Sequence, residues 1–291
     1  MKIAFVDSGM GGLVFAIDML KSISPEALVG YEFLHVGDLQ NVPYGLKTPD
    51  VLTKITTELI QKSIHLGAKK VIVACNTACT ILTDEILKQF INQGVEVFSI
   101  KQHTAQYVFN QVQQNNANLL ILATKRTVQS KMYKTEIENL FAAKNANINI
   151  IQHYPIEWES AVELDFNGFD AKTLVESELF HIKNLMGEDK FSQITHIGLF
   201  CTHYPIVKNE VFNFMSKNSQ VKNLDNIISQ GQAMSGVICG DASLNAADTN
   251  PNAKRTTPIT ITSIDKSGQN FALPTCVETY SHAANIAIVR E

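Results

Sequence analysis

The alternation of short, continuously apolar runs with longer amphipathic ones restricts this chain more than any other feature. "IAFVDSG" opens as a strand and reaches a glycine-rich turn, after which "GLVFAIDMLKSI" carries its apolar residues at helical spacing. "YEFLHVGD", "AKKVIVACN", "VEVFSI", "ANLLILAT", "INIIQHY" and "THIGLFC" are further strands. Helices stand between them, such as "TDEILKQFINQG", "TAQYVFNQVQQN", "QSKMYKTEIENLFAAK" and "AKTLVESELFHIKNLMG". In "TPDVLTKITTELIQKSIHLG", Thr48 can cap, Pro49 suits the first helical position and Gly67 can terminate the helix. A strand apolar at every position needs cover on both faces, so the expected fold is α/β, with mostly parallel sheets flanked by helices.

The 291 residues would fit one long sheet, but two similar lobes with the active site in the cleft between them suit the length better. The expected division is 1–97 for the first lobe, 98–207 for the second and 208–291 for a return to the first. Past Cys201 the pattern weakens. "SQGQAMSGVI" is expected to be helical, the polar stretch 239–258 to be a surface loop, and "ITITSI" to be a strand.

Open α/β sheets place their sites beyond the carboxyl ends of strands, where Asp7, Cys75, Thr124 and Cys201 fall. A free cysteine is usually a small buried hydrophobe. Two of them, each ending a strand and each followed by amide or hydroxyl side chains, weigh against that reading. Both thiols become reactive if nearby donors depress their pKa. His203 is either a satisfied structural group or a proton carrier beside Cys201. Metal ligation is disfavoured, since no second His or Asp stands at metal-ligand spacing. Asp7-Ser8-Gly9 with Gly11-Gly12 is a tight strand-to-helix turn, with Asp7 either a local cap or a carboxylate facing the cleft. It lacks both the dinucleotide-binding and the Walker A spacing. "GDLQNVPYG", residues 37–45, is a rigid loop rich in backbone amides. Cys79 is expected to pack behind the site, and Cys239 and Cys276 to be structural.

Composition removes several classes. A formal charge of −4 with no basic block makes nucleic acid and anionic membranes poor partners. Five scattered cysteines give neither a disulfide framework nor a CxxC pair. "MKIAFVDSGMGG" is not a signal peptide and no run approaches eighteen apolar residues, so the expected compartment is the cytoplasm.

The ordered motifs "VDSGMGG", "GDLQNVPYG", "ACNTA", "TKRTVQSKMY" and "CTHYP" resemble those of glutamate racemases, within the aspartate/glutamate racemase superfamily. "NLDN", residues 223–226, and "SGQNFA" resemble the family's later segments. The resemblance implies two α/β lobes, no cofactor and no metal. It implies Cys75 and Cys201 as catalytic thiols, with Asp7 and His203 assisting them. Ser8, Pro43, Tyr44, Gly45, Asn76, Thr77, Thr124, Thr127 and Thr202 would bind the substrate. These supply neutral donors, with Glu163 as the acidic residue of the "HYPIEWESAVE" region and Glu159 competing for that position.

The implied reaction interconverts L- and D-glutamate, supplying D-glutamate for peptidoglycan. An aspartate or broad-specificity racemase and a silent binder of an acidic metabolite are the alternatives, and a homodimer stays open. Several residues depart from the family pattern. His153 and Tyr154 stand where a cysteine is common, Cys79 stands where a small residue is expected, and Phe200 replaces a glycine. Phe200 would either narrow the pocket or repack behind it.

Overall fold

The computed structural model describes residues 1–112, 116–164, 170–239, 259–269 and 271–290. The expected surface loop at 239–258 lies, apart from the backbone of Cys239, outside the described residues. Ten strands are assigned among them: β1 (Lys2–Asp7), β2 (Glu32–Gly37), β3 (Lys70–Val73), β4 (Glu96–Ser99), β5 (Ala117–Ala123), β6 (Ile148–His153), β7 (His196–Phe200), β8 (Ile227–Ser229), β9 (Ile259–Asp265) and β10 (Ile286–Arg290). The helices of the first half are α1 (Gly11–Lys21), α2 (Pro49–His65), α3 (Asn76–Cys79), α4 (Asp84–Ile91), α5 (Ile100–Gln111), α6 (Lys125–Ser130) and α7 (Met132–Ala142). The second half adds α8 (Trp158–Leu164), α9 (Ala171–Met186), α10 (Glu188–Ser192), α11 (Lys208–Asn218), α12 (Gln230–Met234), α13 (Gly236–Cys239) and α14 (Thr275–Ala283).

The strands form two separate sheets, ordered β10-β9-β2-β1-β3-β4 and β6-β5-β7-β8, and every pairing in both is parallel. Two lobes, not one long sheet, are therefore what the alternation encodes. Ile3, Ala4, Phe5 and Val6 of β1 are all buried, as are Leu119 to Ala123 of β5. Helices on both faces remove such strands from water. α2 begins as its residues demand, with Thr48 Oγ1 accepting from Val51 N over 3.4 Å and Pro49 at the first turn.

The second sheet takes its last strand from beyond residue 207. β8 pairs with β7, so the chain returns to the first sheet only with β9. Three residues are too few to carry a periodicity, which hid β8 in the sequence. "NLDN" is an exposed turn before it, closed by reciprocal Asn223 and Asn226 hydrogen bonds. Because all strands are parallel, Asp7, Cys75, Thr124 and Cys201 each lie at or just past a carboxyl edge.

Candidate active site

Asp7 is the last residue of β1, the central strand of the first sheet with β2 and β3 on either side. It is 1% exposed, and Oδ2 accepts from Gly9 N over 3.4 Å and from Thr202 Oγ1 over 3.5 Å. Its Oδ1 has no protein partner. Burial is the main reason its pKa is raised to about 7; the positive charge of His203 works against this, and the negative charge of Glu163 adds to it.

Cys75 follows β3 and its thiol donates to Ser8 Oγ over 3.6 Å. Burial, and then the neighbouring Asp7 charge, push this thiol well up. Cys201 follows β7 in the other sheet, with its sulfur 3.6 Å from His203 Nδ1. Burial pushes this thiol up too, but here the hydrogen bond and charge of His203 pull it back.

His203 Nε2 lies 2.7 Å from Glu163 Oε2. Burial opposes the imidazolium, but the hydrogen bonds to Cys201 and Glu163 outweigh it and hold His203 well above the usual histidine range. Glu163 is likewise pulled two ways. Its own burial would raise it, and the His203 contact holds it below the ordinary carboxylate range. Of the two acidic candidates on α8, Glu163 is the one bonded to His203, and Glu159 reaches Cys201 only through its charge.

The lobes meet closely here. Met10 N donates to both Glu163 oxygens, at 3.1 and 2.9 Å. A Cβ on Gly9 would come within 2.2 Å of Glu163, and one on Gly11 within 2.4 Å of the Thr202 hydroxyl. The glycines of "VDSGMGG" therefore let the first lobe's turn touch the second lobe's carboxylate and histidine. The Thr202 hydroxyl links Asp7 to His203, whose ring reaches Cys201, while Cys75 bonds to Ser8, the chain neighbour of Asp7.

The remaining expected binding residues divide into groups. Thr77, Thr124 and Thr127 form a hydroxyl chain between lobes, with spacings of 3.2 and 3.0 Å. Tyr44 is buried, its hydroxyl on Asp38 Oδ2 at 2.8 Å, and it feels the charges of Cys75 and Asp7; Pro43 and Gly45 beside it are exposed. The Asn76 side chain is engaged by Gln230 and Tyr133. Arg126 ties α6 to the first lobe, through Thr80 Oγ1 and the Lys47 carbonyl.

Phe200 is fully buried with its ring 4.6 Å from that of Tyr133, so it repacks the second lobe's core. A Cβ on Gly198 would meet that ring at 2.7 Å. His153 pairs with Glu178 at 2.7 Å, and Cys79 donates to the Val73 carbonyl behind Cys75.

Sequence reasoning missed His35, Gln230, Tyr133 and Met10 N. His35 is fully buried between the Gly9 carbonyl and Ser263 Oγ, at 3.1 and 2.9 Å, and burial lowers its pKa to about 4. A polar residue in an apolar strand was its one available signal. Among the described residues no group of three His, Cys, Asp or Glu side chains could hold a metal, and no helix is long and apolar enough to cross a membrane.

No family model matches the chain. It is 28% identical over 232 residues to a glutamate racemase of Fusobacterium nucleatum, which spans 77% of this chain and 76% of that one. A glutamate racemase of Staphylococcus epidermidis is 26% identical over 219 residues, 75% of each chain. The chain is similar to glutamate racemases. Among solved structures, the Francisella tularensis glutamate racemase in complex with D-glutamate superposes with a TM-score of 0.66 at 22% identity, over 100% of this chain and 96% of that one. The Bacillus anthracis enzyme gives 0.67 at 17% identity, over 99% and 96%. These likenesses establish the two-lobed fold.

Proposed function

We propose that this chain is a cofactor-independent glutamate racemase that uses Cys75 and Cys201 as its two acid/base groups. The observation that carries this reading is the presence of two buried thiols, one at a strand end of each sheet, with His203 against Cys201 and linked through Thr202 to Asp7, and with Ser8, next to Asp7, bonded to Cys75. Racemisation removes the α-proton from one face and returns one to the other. One thiol must begin as thiolate and take the proton, while its electron pair stays on the α-carbon. The other thiol donates to the opposite face, and the roles exchange for the other enantiomer.

The imidazolium of His203 makes Cys201 the thiol nearer its thiolate form, and the charge of Asp7 holds Cys75 as the thiol. Ser8, Thr77, Thr124, Thr127 and Thr202 are neutral donors suited to carboxylates and to the charge developing during abstraction. The acidic-amino-acid substrate draws on the curated relatives' names; D-glutamate supply for peptidoglycan and a cytoplasmic location rest on the family resemblance of the motifs.

The test is proton exchange in deuterated water, followed by NMR at the α-carbon and by circular dichroism, with L-glutamate and L-aspartate separately. Exchange with loss of optical activity is expected for glutamate. Faster turnover of aspartate would replace the substrate, and exchange with neither would overturn the racemase reading.

A further inference from the structure

Gln230 is the first residue of α12 and is 2% exposed. It directly follows β8, which pairs with β7 in the register Leu199 to Ser229. Gln230 is thus level with Phe200, one residue before Cys201. Its side chain reaches across to Asn76, the residue after Cys75. Asn76 Nδ2 donates to Gln230 Oε1 at 2.7 Å, and Gln230 Nε2 donates to Asn76 Oδ1 at 3.1 Å. The two hydrogens of Nε2 are shared with two further acceptors, Tyr133 OH at 2.7 Å and Thr104 Oγ1 at 3.1 Å, while Tyr133 OH donates to Asn76 Oδ1.

All four side chains are buried, so each depends on the others for its hydrogen bonds. The next residue strengthens the placement, since a Cβ on Gly231 would come within 2.5 Å of Met19 N on α1. The start of α12 is therefore wedged against the helix that leaves the Asp7–Gly11 turn.

We infer that Gln230 is a positioning residue that fixes the strand end carrying Cys75 against the strand end carrying Cys201. Both polar atoms of the Asn76 side chain take part in this tether. The inference rests on the racemase reading, because register between the two thiols matters only if both act on one α-carbon. Misplacement of a reacting group by about 1 Å can cost on the order of a hundredfold in rate. A loosened tether separates two rates that a racemase normally couples. Abstraction, solvent exchange and return on one face need a single thiol, whereas inversion needs both in register.

The experiment measures both rates in one sample in deuterated water: deuterium entering the unreacted enantiomer, and inversion. Gln230→Met keeps the volume and removes the hydrogen bonds; Tyr133→Phe removes one hydroxyl. The ratio of exchange to inversion should rise about tenfold in Gln230→Met and less, in the same direction, in Tyr133→Phe. A role in stability alone would lower both rates together, and an unchanged ratio in the active variants overturns the inference. If Gln230→Met does not fold, Tyr133→Phe decides by the same ratio. Wild-type protein that exchanges no α-proton would instead overturn the racemase reading, and the inference with it.

Discussion

The two thiols sit in matching local settings and in opposite electrostatic ones. Cys75 and Cys201 each follow a buried parallel strand, and they are 5% and 4% exposed. Cys75 lies beside a serine and a buried carboxyl, so its surroundings favour the neutral thiol. Cys201 lies beside an imidazole held protonated by Glu163, which offsets part of the burial cost, so the thiolate is less disfavoured there than at Cys75. Burial is nearly equal on the two sides and cannot cause the difference. The charge of the neighbour does, and on the Cys201 side that neighbour is itself set by a third residue, Glu163.

Replacing either thiol tests the comparison most severely. Cys75→Ser and Cys201→Ser should each lower turnover about a thousandfold or more in both directions, because a serine hydroxyl is too weak a base and inversion needs both faces. Cys79→Ser serves as the control with activity retained. Initial rates by circular dichroism with each glutamate enantiomer decide this. Near-normal activity in either thiol variant would remove that thiol from the reaction.

The next test separates the two sides. Asp7→Asn and His203→Asn should each leave some activity, with losses of about ten- to a hundredfold in kcat that fall unequally on the two directions. The favoured direction should be opposite in the two variants. The equilibrium between enantiomers cannot change, so any asymmetry in kcat must reappear in KM. Glu163→Gln should act through His203. Without the carboxylate the imidazolium is less favoured, so the limb of the kcat/KM profile that reports His203 should move toward lower pH. An unmoved limb would show that Glu163 does not set the histidine's proton.

The smallest effect expected is on stability. Asp7 has a folded pKa of about 7 against 3.8 for the free group, so the folded state binds its proton more tightly than the unfolded chain. Its contribution is fully favourable below about pH 4 and is lost as pH rises through 7, a swing on the order of 4 kcal/mol. Asp7→Asn should therefore raise the melting temperature by several degrees at pH 8 and change it little at pH 4. Thermal scans at the two pH values check this, and equal shifts at both would contradict the buried, proton-sharing carboxyl.

Some of this was legible in the residues. The apolar runs of β1, β3, β5 and β7 identify themselves, because a strand buried on both faces must be apolar throughout. Cys75 and Cys201 stand out as thiols ending such runs, and the motif order carried Asp7 and His203. β8 was not legible, being three residues long, and with it went the fourth strand of the second sheet. Glu163 against Glu159 was undecidable along the chain, because both lie on α8 and only the approach of Met10 and His203 selects one. The partner of Asn76, Gln230, stands 154 residues away, and no local pattern connects the two.

The sequence by itself determined most of the strands, β8 and β10 excepted, that the sheets are mostly parallel, and which chemical groups stand at their carboxyl edges. These follow from local periodicity and from the composition of each run. The tertiary structure alone decided the protonation pattern and the tether. Both depend on which groups from distant segments are buried together, where loss of solvent magnifies the effect of each neighbouring charge and unmet hydrogen bond. Burial and proximity of that kind leave no periodic trace in the chain.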